Sequence, residues 1–123
     1  MIIAEGLTKK YGSLVACNQL DLHINSGELF GFLGPNGAGK TTTIKMLTGL
    51  LTPTSGSAKI AGVDVQAHPV AAKERMALVP DSPNIYDKLT AREFLQLAAQ
   101  LRKIDEWEAT RRIDTLLDLF ELS

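Results

Sequence analysis

The sequence predicts an α/β domain with a helical C-terminal segment, and two observations lead to this prediction. The first is the order of patterns in the N-terminal half: apolar residues with period two, then a glycine-rich stretch, then apolar residues at helical spacing. The second is that the last third of the chain shows only helical spacing. We therefore expect a sheet around the glycine-rich stretch, a small antiparallel β layer at the N-terminus and helices at the C-terminus.

Composition excludes several classes of protein. The chain has 123 residues, of which 45% are hydrophobic and 22% charged, with a net charge of −1, values typical of a globular domain. This charge balance does not favour a general nucleic-acid surface. Cys17 is the only cysteine, which excludes an internal disulfide and a cysteine-rich zinc site. No apolar run approaches the roughly 20 residues of a membrane span, so we expect a cytoplasmic protein.

The first elements follow from apolar spacing. Residues 14–24 alternate between apolar and polar side chains, which predicts a strand with one buried face. The run ELFGFL at residues 28–33 predicts a second, more buried strand that leads into the glycine-rich stretch. Residues 42–51 carry apolar side chains at helical spacing, which predicts a helix stopped by Pro53.

Shorter elements are predicted in the middle of the chain. A strand is expected over residues 57–61, followed by a turn at residues 62–64. Pro69 favours the start of a short helix, because a proline at the first helical position loses no hydrogen bond. Residues 76–79 predict a short strand, and residues 80–89, which contain several turn formers, predict a loop.

Two capping signals predict the C-terminal helices. Thr90 and Glu93 have the spacing of a capping box, and Asp105 with Glu108 indicates a second helix start. The expected buried stripes comprise Phe94, Leu97, Ala98 and Leu101 on the first helix, and Ile113, Leu116, Leu117 and Phe120 on the second. The change in composition near Thr90 suggests two regions, residues 1–89 and 90–123.

The glycine-rich stretch GPNGAGKTT, at residues 34–42, carries the chemistry. It matches the phosphate-binding pattern G-x-x-x-x-G-K-[ST]. Its glycines allow successive backbone N–H groups to turn toward a phosphate, and the following helix adds the positive end of its dipole. Lys40 is predicted to stabilise charge on the terminal phosphates, and the Thr41 hydroxyl to bind Mg²⁺. The predicted phosphate-binding residues are Asn36, Gly37, Ala38, Gly39, Lys40, Thr41 and Thr42.

The alternative is a chance match in a glycine-rich turn, but the apolar run before the loop and the helical pattern after it favour phosphate binding. The loop alone does not decide between kinases, GTPases and transport ATPases, which share it. That distinction depends on the flanking sequence.

The flanking sequence resembles the start of an ATP-binding cassette (ABC) transporter ATPase, a P-loop NTPase. The resemblance runs through LTKKYGSLVACNQLDLHINSGELFGFLGPNGAGKTTTIKMLTGLLTPTSGSAKIAGVDV and continues in VPDSPNIYDKLTAREFLQLAAQL. The segment PDSPNIYDKLT is most similar to the corresponding segment of bacterial exporter subunits of the ABC-2 type. The fold implied is the core of an ABC ATPase with its N-terminal β layer and the start of its helical subdomain.

The resemblance also implies ligands, partners and two further site residues. Tyr11 is expected to stack on the adenine of ATP, and Asp81 lies where the family usually has a glutamine near Mg²⁺ and the attacking water. The partners implied are ATP, a second ATPase subunit and a membrane-spanning subunit, which would hold the protein at the cytoplasmic face of the membrane. No nucleic-acid partner is implied.

The family's LSGGQ-like signature and its acidic strand end do not occur in these 123 residues. The expectation is therefore a truncated N-terminal half that retains the phosphate-binding loop and does not turn over ATP appreciably. The rival interpretation is a short module that binds nucleotide or a partner without catalysis. A metabolic kinase or GTPase is a third interpretation, for which base-specificity motifs such as N-K-x-D are lacking.

Overall fold

The structure is a computed structural model that describes residues 1–82 and 86–122. The chain divides into two compact units, Met1–Leu78 and Val79–Ser123. The division predicted at residue 90 came from composition and stays a prediction. Of the loop predicted over residues 80–89, the part at residues 83–85 lies outside the described residues; the described remainder forms bends, turns and extended chain.

The first unit contains a four-stranded antiparallel sheet. Its strands are β1 (Ile2–Tyr11), β2 (Leu14–Ile24), β3 (Ser55–Ile60) and β4 (Val63–Asp64), in the spatial order β2-β1-β3-β4. This confirms the predicted N-terminal β layer and the strand over residues 14–24. The strand expected at residues 57–61 is also present, although it begins at Ser55 and ends one residue earlier.

The first helix, α1 (Lys40–Leu47), packs on this sheet through Met46, which is fully buried. The buried core joins the sheet, α1 and the segment after β4; its members are Ala4, Leu7, Met46, Ala58, Ile60, Val65 and Ala72. Because a fully buried methionine anchors α1, the glycine-rich loop at residues 34–42 leads into a helix that the core holds in place.

The prediction that α1 spans residues 42–51 was wrong at both ends. The helix begins at Lys40, two residues earlier than predicted. Its first turn is polar, so apolar spacing gave no indication of this start. It ends at Leu47, before Pro53, because Gly49 adopts a left-handed φ of 68°. The Leu50 N–H donates to the Lys45 carbonyl at 2.9 Å and the Gly49 N–H to the Met46 carbonyl at 3.2 Å, a Schellman ending.

The strands predicted at residues 28–33 and 76–79 are wrong as well. Both segments are irregular, and several of their apolar side chains are exposed: Leu29 is 100% exposed, Leu33 93% and Val79 89%. Phe32 and Met76 are half-buried, and Met76 packs against the core. A strand exists only where a neighbour satisfies its backbone N–H and C=O groups. Within the described residues, neither segment has a strand beside it.

The connection from β3 to β4 and the next helix were largely predicted. Ala61 and Gly62 form the turn with φ of 47° and 80°, while Val63 and Asp64, assigned to the turn by the sequence, pair with β3 as a short strand. Helix α2 (Pro69–Lys73) begins with proline at its first turn, as expected.

The second unit contains helices α3 (Ala91–Leu101) and α4 (Glu106–Leu119). The capping box at Thr90 and Glu93 is confirmed, and Asp105 caps α4 by accepting from the Trp107 and Glu108 N–H groups. Ile113 and Leu117 are buried as predicted. Leu101 and Phe120 of the predicted stripes are largely exposed instead, and Leu116 is 39% exposed, because two helices cover only one side of each other. No helix in the described ranges is long and apolar enough to cross a membrane.

The capping box predicts a pH dependence of α3. The Glu93 carboxylate accepts from the Thr90 N–H and hydroxyl, each at 2.8 Å, and these bonds hold its pKa below the ordinary value of 4.5. A lowered folded-state pKa means that this stabilisation is complete above 4.5 and is lost as the pH falls through the lowered pKa. Thermal melting followed by circular dichroism, from neutral pH to about pH 3, should show this loss.

Glu93→Gln is the test of that prediction, because it removes the titrating group and keeps an acceptor. The Gln variant should show a weaker decline of melting temperature with acidification than the parent. Glu106→Gln is the matched control, since Glu106 is an exposed glutamate in the first turn of α4. Identical pH profiles for the parent and the Glu93 variant would contradict the assignment.

Candidate phosphate-binding site

The backbone of residues 34–42 has the shape of an anion-binding loop. Gly37 and Gly39 have φ of 85° and 83°, in the left-handed region that favours glycine. The Ala38 N–H donates to the Pro35 carbonyl at 3.2 Å, which closes a turn within the loop. Gly39 is the N-cap of α1, so the loop passes directly into the helix.

Strand β2 packs closely against this loop. A Cβ atom on Gly39 would overlap the carbonyl oxygen of Ala16, which lies in β2. Glycine at residue 39 is therefore required twice, by the left-handed φ and by the close approach of two backbones. The loop rests against the sheet through main-chain atoms alone at this point.

The N-terminus of α1 presents unpaired donors to the loop. The first intrahelical bond runs from the Thr43 N–H to the Gly39 carbonyl at 2.8 Å. Amides that precede Thr43, at Lys40, Thr41 and Thr42, have no carbonyl one turn earlier in the helix to accept from them. Among the described residues, no side chain caps this end and no acidic residue lies in its first turn. The helix dipole and these amides together favour a bound anion.

Lys40 places a positive charge over the loop. Its side chain is half-buried, and Nζ donates to the Gly34 carbonyl and, at 2.7 Å, to the Pro35 carbonyl. An ammonium group has three donors, so one remains for a further acceptor. The ammonium is thus held against two carbonyl groups of the loop.

These groups surround a cavity of about 250 Å³. The residues that line it are Leu14, Val15, Ala16, Asn36, Gly37, Gly39, Lys40, Thr41 and Thr42. The volume lies below the range of about 300–1,000 Å³ for complete small-molecule sites, which suits a phosphate chain better than a whole nucleotide. The sequence did not predict that Leu14, Val15 and Ala16 of β2 line the cavity. Alternating apolar residues indicate which face of a strand is buried, but not which other segment packs against the strand.

Of the predicted phosphate-binding residues, six line this cavity: Asn36, Gly37, Gly39, Lys40, Thr41 and Thr42. Ala38 does not line it; this residue contributes the turn toward Pro35. The structure therefore brings together the groups that the motif predicted, with one of them acting through the backbone of the loop.

Tyr11 lies at the end of β1, paired with Leu14 of β2. Leu14 lines the cavity, whereas Tyr11 does not, and the tyrosine side chain is 49% exposed. The Lys9 ammonium lies 5.2 Å from the centre of the Tyr11 ring. Tyr11 thus presents a half-exposed aromatic ring next to Leu14, which lines the cavity. Such a ring is a suitable surface on which a flat base can stack.

Asp81 is exposed and belongs to the unit Val79–Ser123, while the loop belongs to the other unit. Its predicted part in metal binding stays a prediction. Among residues 1–82 and 86–122, no group of three His, Cys, Asp or Glu side chains forms a metal site. The donor set at the loop still fits Mg²⁺ in a nucleotide complex, since this ion takes few protein ligands and most of its oxygens from phosphates and water.

Comparison with known proteins gives consistent matches. Residues 17–123 match the ABC transporter family. The chain is 40% identical over 116 residues to the bacitracin transport ATP-binding protein BcrA of Bacillus licheniformis, covering 94% of the chain and 37% of that relative. It is 36% identical over 125 residues to human ATP-binding cassette sub-family A member 2, covering all of the chain and 5% of that relative.

Solved structures agree with the sequence matches. An ATP-binding subunit of an ABC transporter superimposes with a TM-score of 0.89 at 33% identity, over 99% of this chain and 51% of that one. The dimeric bacterial ABC transporter cassette MJ0796 superimposes with a TM-score of 0.82 at 25% identity, over 100% of this chain and 58% of that one. The chain thus spans about half of each solved cassette and 5–37% of the two relatives above.

Proposed function

The chain belongs to the ABC transporter family, and from this we propose that residues 36–42 hold the phosphates of Mg-ATP in an ATP-binding subunit of a transporter. One observation carries the proposal. The loop joins the free amides at the start of α1, the Lys40 ammonium and two threonine hydroxyls around one cavity. That donor set matches a chain of phosphates, whose oxygens are acceptors only.

Each group has a proposed task. The unpaired backbone N–H groups of Lys40, Thr41 and Thr42 bind phosphate oxygens, Ala38 holds the loop in its turn through Pro35, and the Lys40 ammonium stabilises charge on the terminal phosphates. The hydroxyl of Thr41, exposed on the first turn of α1, holds Mg²⁺, and Thr42 offers a further hydroxyl and amide to the phosphates. When bound, Mg²⁺ neutralises part of the phosphate charge. Tyr11 provides the surface on which the adenine stacks.

As the activity of a complete ATP-binding subunit that contains these residues, we propose hydrolysis of ATP coupled to transport across a membrane. The similarity to a transport ATP-binding protein supports this assignment, and the similarity to a dimeric cassette supports a second ATPase subunit as partner. A membrane-spanning subunit would hold the protein at the cytoplasmic face, with the helical segment from Thr90 onward as the docking region. Asp81 is proposed to approach the metal and the attacking water.

The test separates binding from turnover in residues 1–123. We expect equilibrium titration to detect Mg-ATP binding, while a phosphate-release assay detects little hydrolysis. The cavity supplies amides, an ammonium and hydroxyls, and none of these takes a proton from water at neutral pH. Robust phosphate release that disappears in Lys40→Ala would contradict the expected lack of turnover. Absence of any ATP binding would contradict the proposed site itself.

A further inference from the structure

Lys9 has two contacts that lie outside the phosphate-binding loop. It is two residues before Tyr11 on β1, so the two side chains extend from the same face of the strand. Its Nζ lies 5.2 Å from the centre of the Tyr11 ring, within cation–π range, and donates to the Thr52 carbonyl at 2.7 Å. The two contacts together fix the ammonium against one face of the ring.

Thr52 belongs to the connection that leaves α1, the helix that begins at the loop. Two further bonds join this connection to the end of β1. The Thr54 N–H donates to the Thr8 carbonyl at 2.8 Å, and the Lys10 N–H donates to the Thr54 hydroxyl at 3.0 Å. Lys9 is the member of this group whose side chain reaches the aromatic ring. It therefore links the Tyr11 ring to the segment that follows the phosphate-binding helix.

We propose that Lys9 is a positioning residue for the nucleotide base, which holds the Tyr11 ring so that its opposite face receives the adenine. The inference rests on the proposed function, since it assumes that Tyr11 stacks on the base. The Lys9 ammonium occupies one face of the ring and leaves one face for stacking. It also draws electron density from that ring, which strengthens stacking with an electron-rich purine.

Holding the ring in advance raises the affinity for the base. An unrestrained, half-exposed tyrosine side chain must be ordered when the base binds, and ordering one such side chain lowers affinity by about three- to tenfold. Lys9 orders it beforehand. The gain is confined to ligands that contain a base, because Lys9 makes its contacts with Tyr11 and Thr52 and is absent from the cavity lining.

The test compares ATP with inorganic triphosphate, both with Mg²⁺, in equilibrium titrations of residues 1–123. Lys9→Met removes the charge and keeps an unbranched side chain; we expect its affinity for ATP to fall by about three- to tenfold, with triphosphate affinity unchanged. Lys9→Arg, which retains a cation over the ring, should restore ATP affinity. Lys10→Met is the matched control, because Lys10 is the neighbouring lysine and extends from the opposite face of the strand.

A double-mutant cycle makes the dependence on Tyr11 explicit. In a Tyr11→Ala background, Lys9→Met should have no additional effect on ATP affinity. An equal loss of ATP and triphosphate affinity, or additive effects in the cycle, would overturn the proposal and assign Lys9 to the phosphates or to the fold. If the wild-type chain binds triphosphate but Lys9→Met binds ATP as tightly as wild type, only the inference about Lys9 fails. If the wild-type chain binds neither ligand, the proposed function fails.

The wild-type chain gives a readout that does not depend on how well any variant folds. In nuclear magnetic resonance spectra, the Tyr11 ring protons and the Lys9 protons next to Nζ should shift on addition of ATP. They should shift much less on addition of triphosphate. Equal shifts with both ligands, or no shift at Lys9 with ATP, would overturn the proposal.

Discussion

Replacement of Lys40 by alanine is expected to weaken binding of Mg-ATP and of inorganic triphosphate to residues 1–123 by about 10- to 100-fold. The variant loses the only charged side chain among the described residues that line the cavity, and with it the proposed charge-assisted hydrogen bond to the terminal phosphates. Because the ammonium contacts the loop and not a base, both ligands should lose affinity by a similar factor. Isothermal titration with each ligand measures this directly.

Lys45→Ala is the matched control for that experiment. Lys45 is on the same helix, is exposed and lies in the last turn, away from the loop. Lys45→Ala removes one positive charge, as Lys40→Ala does, so an effect of net charge alone would appear in both variants. If Lys40→Ala bound triphosphate as tightly as Lys45→Ala, Lys40 would have no direct part in phosphate binding.

Gly39→Ala should lower both stability and phosphate binding. A side chain at residue 39 meets a left-handed φ of 83° and the carbonyl oxygen of Ala16, so either the loop or β2 must move. Backbone strain of this kind costs about 1–3 kcal/mol, and the steric overlap adds to it. We expect a lower midpoint of urea unfolding and a large loss of triphosphate affinity, since the amides of the loop are displaced.

Alanine substitutions at two other glycines separate the effect of the left-handed φ from the effect of the steric overlap. Gly37→Ala introduces strain without overlap, because its φ is 85° and no atom lies within 4 Å of the added Cβ. Gly31→Ala introduces neither, since Gly31 has an ordinary φ and open space around it. The expected order of destabilisation is Gly39, then Gly37, then Gly31. A Gly39 variant no less stable than the Gly37 variant would show that the approach to Ala16 relaxes freely.

The sequence predicted those features that depend on neighbouring residues. The alternation in β2 predicted the strand itself, although only Leu20, Leu22 and Ile24 alternate as half-buried residues and Leu14 is exposed. The capping box at Thr90 and Glu93 is formed by residues three positions apart. The phosphate-binding loop was predicted for the same reason, because its glycines, lysine and threonines are contiguous. The C-terminal end of α1 was not predicted by residue spacing. Gly49 ends the helix through a left-handed φ, which apolar spacing does not show.

The features that the sequence missed depend on distant parts of the chain. Residues 28–33 and 76–79 read as strands from apolar composition, but a strand requires a partner, and the described residues supply none. The support of the loop by Ala16 is a contact between two backbones, so no side-chain pattern reveals it. The contact of Lys9 with Thr52 joins residues 43 positions apart in the chain, and local spacing carries no information about it.

The contact between Gly39 and Ala16 has a consequence for engineering and for natural variation of this chain. Because Gly39 approaches the carbonyl oxygen of residue 16, a change of side chain at residue 16 leaves the peptide group that supports the loop in place. An insertion or deletion in β2 near residue 16 is a different matter, because it would displace the peptide group on which the loop rests. Because Ala16 also lines the cavity, libraries limited to small side chains at residue 16 should keep ATP binding, whereas libraries that vary the length of β2 should lose it.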